Sequence, residues 1–353
     1  MMMAAGTGGH VFPALAVAKE LQQQGVQVSW LATPAGMENR LLKNHNIPIY
    51  QIDIQGVRGN GVVRKLLAPL KILKATLSAM RYMKQLNIDA VAGFGGYVAG
   101  PGGLAARALG IPVIIHEQNA IAGFTNTQLS RIAKTVCQAF PDTFAESAKI
   151  VTTGNPVRKE ITEILNPSWR YQEREKAAKP LQILIVGGSL GAQALNERVP
   201  EALKQLDVPM QVFHQCGQNH QDATQARYSD APATLQVEVQ PFIEDMAKAY
   251  SDADLIICRA GALTVTEIAT AGVAAVFVPL PSAVDDHQTA NAKFLAGINA
   301  AKICPQASMT VDSLKELLTP LMNRQLLSEM AVKARQKAQP DATQHVVRLI
   351  QEL

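Results

Sequence analysis

Three glycine-rich turns and a few polar side chains are the parts of this sequence that could do chemistry. The first turn, residues 6–10 (GTGGH), follows an apolar run and opens a helical pattern. Glycines let the backbone approach a ligand closely, and the amides at a helix start attract anions such as phosphate. The positive helix end disfavours an imidazolium, so His10 suits a neutral imidazole that accepts a proton. A tight turn with a structural histidine is the simpler alternative.

Two further glycine turns extend this pattern. Residues 93–103 (GFGGYVAGPGG) hold more glycines than a turn needs, and we expect a large ligand to lie on this bare backbone. Residues 187–192 (GGSLGA) can hold phosphate through their amides and the Ser189 hydroxyl. The first and third turns do not fit the dinucleotide fingerprint GxGxxG, and GxxxxGK[ST] is absent from the chain.

Polar residues cluster where other apolar runs end. His116, Glu117, Gln118 and Asn119 are costly to bury unless they serve a ligand or a hydrogen-bond network. Residues 264–267 (TVTE) fit a helix capping box. They fit equally a helix start whose backbone amides bind a phosphate, with Glu267 accepting hydrogen bonds from two ribose hydroxyls. We interpret residues 285–287 (DDH) as a helix start rather than a metal site.

The elements that must position these residues predict two doubly wound α/β domains. Short apolar runs alternate with helical patterns, which is typical of a parallel sheet. They lie at residues 1–5, 26–32, 90–94, 112–117 and 135–140, and again at 182–186, 210–215, 234–239, 254–258 and 274–279. Ligands should bind beyond the carboxyl ends of the strands, with the main cleft between the domains. The polar, proline-bounded segment 166–180 predicts a linker or an exposed insertion.

Composition and charge exclude several classes of protein. The 353 residues are 48% hydrophobic and 18% charged, which fits about two globular domains. Residues 1–160 carry 16 Lys and Arg against 8 Asp and Glu, whereas the rest carries 17 against 21. Four scattered cysteines without CxxC spacing fit a reducing cytoplasm and predict neither disulfides nor a zinc site. No run suits a membrane span or a signal peptide, and the abrupt apolar start suggests that a few residues are missing upstream.

The segment 54–88 combines apolar and basic residues and contains no acidic one. Its basic residues are Arg58, Arg64, Lys65, Lys71, Lys74, Arg81 and Lys84. Such a basic amphipathic helix predicts contact with an anionic membrane surface. A solvated helix face is the simpler alternative. No nucleic acid is expected, because only Tyr82 in this segment could stack on bases.

These stretches together resemble the MurG family, the bacterial N-acetylglucosaminyltransferases that make lipid II for peptidoglycan. The matching motifs occur in the family's order and cover nearly the whole chain: GTGGHVFPALAVA, GFGGYVAGPGGLAA, PVIIHEQN, IAGFTN, GNPVR, VGGSLGAQALN, CRAGALTVTEIA and VFVPLP. The resemblance implies the GT-B fold, with two Rossmann-like domains facing a cleft. It implies an acceptor and membrane-facing domain at 1–157, joined by a C-terminal helix at 337–353, and a donor domain at 158–336. The family commonly has Gly where Ala5 stands.

The resemblance also implies an inverting hexosyltransferase. It would move GlcNAc from UDP-GlcNAc to the MurNAc 4-hydroxyl of lipid I (undecaprenyl-pyrophosphoryl-MurNAc-pentapeptide) at the cytoplasmic face of the inner membrane, without metal or cofactor. Arg158 and Ser189 would offset the diphosphate charge, Glu267 would bind the ribose, and the Ile243 backbone would read uracil. The family's donor-site residues fall on Thr7, Gly8, Gly9, Asn119, Arg158, Ser189, Ile243, Ala262, Leu263, Thr264, Val265, Thr266, Glu267 and Gln288.

For the chemical step, the resemblance implies His10 as the general base on the acceptor hydroxyl, with Glu117 as its orienter or its rival. Gly95, Gly96 and Tyr97 would bind the acceptor's pyrophosphate. Two alternatives stay open. One is an enzyme similar to UDP-GlcNAc 2-epimerase on the same fold, which needs no lipid-facing surface. The other is a non-catalytic protein that binds a nucleotide sugar or an anionic lipid.

Overall fold

A computed structural model describes residues 1–54, 62–188 and 190–353, and the side chains of residues 62–67 and 284 are not described. The chain divides into two compact units. Unit 1 comprises Met1–Val157 and Gln339–Leu353, and unit 2 comprises Arg158–Ala338. Among the residues predicted to be functional, Ser189 and Arg58 lie outside the described residues.

Unit 1 contains a parallel sheet, in which the described residues form seven strands in the order β3-β2-β1-β4-β5-β6-β7. Its elements before the chain enters unit 2 are β1 (Met2–Ala4), α1 (Gly8–Gln23), β2 (Trp30–Ala32), α2 (Met37–Leu41), β3 (Ile49–Gln51), α3 (Val62–Gln85), β4 (Val91–Gly95), α4 (Ala99–Ala108), β5 (Val113–Glu117), α5 (Phe124–Leu129), β6 (Thr135–Gln138) and β7 (Ile150–Thr152). The strand order reverses between β1 and β4, so the loops after these strands form a topological switch point, where such sheets bind ligands. The first two glycine turns both lie there.

Two hydrophobic cores flank this sheet because successive side chains of a strand point to opposite faces. Met2 and Ala4 of β1 belong to one core, together with the apolar side of α1. Met3 belongs to the other core, which includes buried residues of α3 and α4. Burial on both faces explains why β1, β4 and the first three residues of β5 are continuous apolar runs rather than alternating ones.

Unit 2 contains a second parallel sheet, with six strands in the described part of the unit, in the order β10-β9-β8-β11-β12-β13. Its elements are α6 (Lys159–Thr162), α7 (Pro167–Lys176), β8 (Leu181–Val186), α8 (Gln193–Leu203), β9 (Met210–Gln215), α9 (Gln221–Ala226), β10 (Leu235–Gln240), α10 (Met246–Asp252), β11 (Leu255–Cys258), α11 (Ala262–Ala271), β12 (Ala274–Phe277), α12 (His287–Ala296), β13 (Ala301–Ile303), α13 (Val311–Leu318) and α14 (Arg324–Gln336). Here the order reverses between β8 and β11. The third glycine turn follows β8, and α11 starts just after β11.

The prediction of a linker or exposed insertion at 166–180 was wrong, because this segment forms α7 against the core of unit 2. Arg170, Tyr171 and Arg174 are buried. The Tyr171 hydroxyl donates to the carbonyl oxygen of Asp254 at 2.6 Å, and the Arg174 Nε lies 3.0 Å from the buried Asp254 carboxylate. A helix that buries its arginines in hydrogen bonds has the same polar composition as an exposed segment.

The end of the chain returns to unit 1 as α15 (Ala342–Gln351). Val346 and Val347 of this helix lie in the same core as α1. In the chain as described, no helix is long and apolar enough to cross a bilayer. All four cysteines are buried and free.

Candidate active site

The first glycine turn leads from β1 into α1 and presents the amides of the helix start. α1 begins at Gly8, earlier than its apolar pattern suggested, and within the described residues Thr7 makes no side-chain capping bond at its N-cap. Amides at a helix start that lacks a side-chain cap can bind an anion. The Thr7 hydroxyl oxygen lies 3.4 Å from His10 Nδ1, so its position orients the imidazole instead of capping the helix.

The second glycine turn packs directly against the first one and against His10. A Cβ built on Gly95 would lie 2.7 Å from Cδ2 and 2.9 Å from Nε2 of the His10 ring. A Cβ built on Gly96 would lie 2.1 Å from the carbonyl oxygen of Ala5. Both glycines have positive φ, at 101° and 78°. The structure thus brings His10, Gly95 and Gly96 together at the switch point of unit 1, with Tyr97 half exposed beside them.

Glu38 braces this cluster, and the sequence did not single it out for that role. Its carboxylate is fully buried and accepts hydrogen bonds from the amide and the hydroxyl of Thr33, both at 2.8 Å. It also accepts a longer one, of 3.4 Å, from the amide of Gly6. The carboxylate therefore links the loops that follow β1 and β2. No sequence pattern signals a bond between residues so far apart in the chain.

Glu117 holds the loop that carries Asn119. Its Oε1 accepts from the backbone amide and the side-chain amide of Asn119, at 3.0 and 3.2 Å. Its Oε2 accepts from the amide of Gly123 at 3.0 Å and from Asn126 Nδ2 at 2.9 Å. A buried carboxylate with four donors around it is held in place, and this geometry favours Glu117 as a positioning residue over Glu117 as a base.

His116, one residue earlier, is a structural histidine. Its Nε2 donates to the carbonyl oxygen of Gly154 at 2.9 Å, and its Nδ1 lies 3.2 Å from Gln118 Nε2. The ring stacks on Phe94 at a centroid distance of 5.3 Å. Burial lowers the pKa of His116 to about 4 although the Gly154 bond and the Glu117 charge act against this change, so the ring is neutral at neutral pH.

In unit 2, α11 begins at Ala262 with Gly261 as its N-cap. The capping-box interpretation of residues 264–267 was therefore wrong, because the helix starts two residues before Thr264. The backbone amides of residues 262–264 form the first turn of α11, and the N-cap residue, a glycine, has no side chain that could accept a hydrogen bond from them. Val265 is fully buried, and the Thr266 hydroxyl donates to the carbonyl oxygen of Ala262 at 2.9 Å. Residues 262–267 are the stretch predicted to bind the donor substrate. Within it, the backbone of the first helical turn and the Glu267 side chain thus present polar groups.

Glu267 is paired with Arg158 and Tyr250 in this structure. Nε and Nη2 of Arg158 donate to Oε1 at 3.2 and 2.9 Å, and the Tyr250 hydroxyl donates to Oε2 at 3.0 Å. Burial opposes the charge on Arg158, but the Glu267 carboxylate outweighs it and raises the pKa of the guanidinium. The two charged residues predicted to bind different parts of the donor, Arg158 the diphosphate and Glu267 the ribose, therefore bind each other.

Two glutamines position the other loops of this site. Gln215, which the sequence did not indicate, is buried at the end of β9 and bonds both the amide and the carbonyl of Gly188, each at 3.0 Å. Its Nε2 also donates to the carbonyl oxygen of Pro241 at 2.9 Å, two residues before the buried Ile243. Gln288 Oε1 accepts from the amides of Ala260 and Leu280, at 3.2 and 3.0 Å.

Residues 285–287 do not form a metal-type cluster. Within the described ranges, no group of three or more His, Cys, Asp or Glu side chains could hold a metal ion. α12 begins at His287, as the sequence predicted, and Asp286 Oδ1 accepts from the Thr289 hydroxyl at 2.7 Å. This aspartate is the N-cap residue of α12, so its carboxylate lies at the start of a helix.

Comparisons with known proteins identify the family. Residues 1–138 match the glycosyltransferase family 28 N-terminal domain, and residues 182–346 match its C-terminal domain. The chain is 80% identical to the UDP-N-acetylglucosamine--N-acetylmuramyl-(pentapeptide) pyrophosphoryl-undecaprenol N-acetylglucosamine transferase of Acinetobacter baumannii (strain AYE), over 100% of this chain and 97% of that protein. A crystal structure of MurG from Acinetobacter baumannii matches with a TM-score of 0.90 at 77% identity, covering 100% of this chain and 99% of that one.

A more distant structure shows how widely the fold is shared. The UDP-GlcNAc 2-epimerase from Neisseria meningitidis, bound to UDP-GlcNAc, matches with a TM-score of 0.67 at 13% identity, over 100% of this chain and 99% of that one. That likeness concerns the fold alone. The two parallel-sheet domains of the GT-B fold and the identity over the full chain show that this protein belongs to the MurG family of glycosyltransferases, within glycosyltransferase family 28.

Proposed function

We propose that this chain transfers N-acetylglucosamine from UDP-N-acetylglucosamine to the MurNAc 4-hydroxyl of lipid I, giving lipid II and UDP. Membership of the MurG family supports this function. The structural observation that carries it is that each unit has a glycine turn and a helix start without a described side-chain cap at its switch point. Two such sites suit a reaction in which donor and acceptor each carry a diphosphate.

The donor's diphosphate binds to the amides at the start of α11 and to the third glycine turn with Ser189. Arg158 supplies the positive charge that offsets the charge developing on the leaving UDP. Glu267 accepts from the ribose hydroxyls, and the backbone at Ile243 reads the uracil edge. The remaining donor residues in this proposal are Thr7, Gly8, Gly9, Asn119, Ala262, Leu263, Thr264, Val265, Thr266 and Gln288.

The acceptor's pyrophosphate binds in unit 1, on the backbone of Gly95, Gly96 and Tyr97. The 4-hydroxyl oxygen attacks C1 of the donor sugar while the C1–O bond to UDP breaks, and its electron pair goes to the β-phosphate oxygen. The hydroxyl proton passes to His10, which acts as the general base. This single displacement inverts the anomeric centre, and Glu117 fixes the loop beside the reacting groups.

The acceptor is a lipid, and the outer face of α3 supports contact with an anionic membrane surface on the cytoplasmic side. Leu70, Leu73 and Leu77 are 65%, 55% and 57% exposed and share one side of the helix. The basic residues Lys71, Lys74, Arg81 and Lys84 are exposed around them. Exposed apolar residues ringed by positive charge are typical of a peripheral membrane site. We therefore propose a peripheral enzyme bound through α3.

The test is to measure UDP release with and without a lipid I analogue. We expect release that depends on the acceptor and stops when the acceptor is exhausted. Release without acceptor, accompanied by an epimerised sugar, would support the epimerase alternative and contradict the proposal. Binding of UDP-GlcNAc without any turnover would support a binding protein instead.

A further inference from the structure

The Glu267 carboxylate is held on two sides by groups that differ in their freedom to move. The Arg158 side chain is 44% exposed, so it can leave Glu267 and find another partner in solvent or on a ligand. Tyr250 is 1% exposed, and its ring has no such freedom. One contact of Glu267 is therefore exchangeable and the other is fixed.

The backbone of Tyr250 is also clamped. Arg170 Nη1 donates to the carbonyl oxygens of Tyr250 and Ser251, at 3.4 and 2.8 Å. Arg174 Nη1 donates to the carbonyl oxygen of Asp252 at 2.6 Å. These bonds cap the C-terminal end of α10 with two cations from α7, which suits the negative end of a helix.

The Tyr250 hydroxyl is a permanent donor. Burial raises its pKa well above the usual tyrosine value, and the neighbouring Glu267 charge raises it further. The hydroxyl is therefore neutral at neutral pH and donates its proton to Glu267 Oε2, 3.0 Å away.

The number of hydrogen bonds that the Glu267 carboxylate can accept limits which ligand groups can bind to it. A carboxylate accepts about four hydrogen bonds, and Arg158 and Tyr250 already supply three. A ribose diol needs two more, so it cannot be bound fully while both bonds from Arg158 persist. A nucleoside diphosphate resolves this conflict because its phosphates offer Arg158 another anion.

We propose that Tyr250 is a positioning residue for the donor, and that it holds Glu267 in place for the ribose diol when Arg158 leaves for the diphosphate. This inference rests on the proposed function. It adds that Tyr250 makes the affinity for the donor nucleotide depend on the ribose diol. Tyr250 acts through Glu267 and does not itself touch the nucleotide.

The first experiment compares UDP with 2′,3′-dideoxy-UDP by calorimetric titration of the full chain. The wild-type protein should prefer UDP. Tyr250→Phe should weaken UDP binding about tenfold, and it should change the affinity for dideoxy-UDP less than twofold. The KM for UDP-GlcNAc should rise by the same factor with little change in kcat.

Tyr228→Phe is the matched control, since this buried tyrosine of unit 2 donates to His214 instead. The affinities of this variant for UDP and for dideoxy-UDP should stay unchanged.

A second variant tests the exchange without touching Tyr250. Arg158→Gln should weaken UDP binding, but it should strengthen the binding of uridine several-fold. Uridine has no phosphate that could draw Arg158 away, so in the wild-type protein its ribose must compete with Arg158 for the Glu267 carboxylate. Weaker uridine binding in this variant would overturn the exchange. Equal loss of UDP and dideoxy-UDP in Tyr250→Phe, or no loss of either, would overturn the role of Tyr250. A wild-type protein that binds the two nucleotides equally would instead overturn Glu267 as the ribose ligand, and with it the donor site of the proposed function.

Discussion

His10 is the residue on which the proposed proton transfer depends. When its Nδ1–H donates to the Thr7 hydroxyl, 3.4 Å away, Nε2, which lies beside Gly95, is the nitrogen that can accept a proton. We expect His10→Gln to lower kcat by about 10²- to 10⁴-fold, since it removes a general base. The affinity for UDP-GlcNAc should change less than twofold, which steady-state kinetics and a binding titration can check. Unchanged kcat would exclude His10 as the base.

Glu117 provides the contrast that separates a base from a positioning residue. The pH profile of kcat/KM should fall on the acid side in the wild-type protein, because the base must be deprotonated. This fall should persist in Glu117→Gln, with a lower rate throughout, and should vanish from the residual activity of His10→Gln. The reverse pattern would make Glu117 the base.

At the residue scale, the sequence indicated the residues proposed to contact ligands better than the residues that hold those side chains and loops in position. Glycine turns and polar residues at strand ends have a local pattern, so His10, Gly95 and Glu117 could be picked out. Glu38, Gln215 and Tyr250 each hold a loop or a side chain through a hydrogen bond to a residue at least 17 positions away in the chain. Such bonds depend on tertiary packing and leave no periodic signal in the sequence.

Among the loops, the second glycine turn makes the sharpest demand on the backbone. Gly96→Ala would add strain at positive φ and place a Cβ 2.1 Å from the Ala5 carbonyl oxygen. We expect it to destabilise unit 1 and abolish activity. Gly110→Ala is the control, because Gly110 also has positive φ, at 73°, but no atom of the described residues lies within 4 Å of the added Cβ. It should cost about 1–2 kcal/mol and retain activity. Similar urea midpoints for the two variants would contradict the packing of the two turns.

Helix α3 can be tested as the membrane contact. A triple Leu70→Ser, Leu73→Ser, Leu77→Ser variant should lower binding to vesicles with anionic lipid by roughly tenfold or more, because it removes exposed apolar side chains. Activity towards a soluble acceptor analogue should be retained. Leu165→Ser, at a leucine of unit 2 that is 59% exposed, should bind vesicles like the wild-type protein. Undiminished binding of the triple variant in flotation assays would exclude α3 as the contact.

The elements themselves differed in how well they could be predicted. The central strands β4, β5, β8 and β11 are largely buried on both faces, so they were predicted from apolar runs. β3, β7 and β13 were missed because they are three-residue strands at sheet edges with little apolar surface to signal them. α7 was mistaken for a linker since its buried residues include two arginines.

Across the whole molecule, one buried neutral histidine in each unit should make stability fall with acid. Burial lowers the pKa of His116 in unit 1 to about 4 and that of His214 in unit 2 to about 3. Below pH 6.5, His116 and His214 bind protons in the unfolded chain but stay neutral in the folded chain. The stability is therefore fully present above pH 6.5 and declines below it. The loss between pH 7.5 and 5 should be roughly 2 kcal/mol for each histidine.

Urea unfolding at pH 7.5 and pH 5 measures this loss. His214→Gln should reduce the pH dependence of unit 2 and leave that of unit 1 intact, because the two histidines lie in separate units. Equal stability of the wild-type protein at both pH values would contradict the burial of neutral rings.

The architecture of the whole chain was visible in the sequence because the strand and helix pattern restarts after residue 180, and two parallel sheets follow from it. The charge asymmetry also has a structural counterpart, since the basic excess lies in residues 1–160, and all of these except 158–160 belong to unit 1, which contains α3. We expect this excess to favour an anionic lipid surface, whereas the proposed donor site in unit 2 relies on helix ends and one arginine.

The central claim is that this chain joins GlcNAc to lipid I with inversion, and the product of the reaction tests it most directly. UDP-[¹⁴C]GlcNAc and a lipid I analogue are incubated with the full chain, and the lipid extract is examined for label and for anomeric configuration by NMR. We predict one GlcNAc per acceptor, a β linkage to the MurNAc 4-hydroxyl, and one UDP released for each GlcNAc transferred. An unlabelled lipid fraction, or an α-linked product, would contradict the proposed function and its single-displacement mechanism.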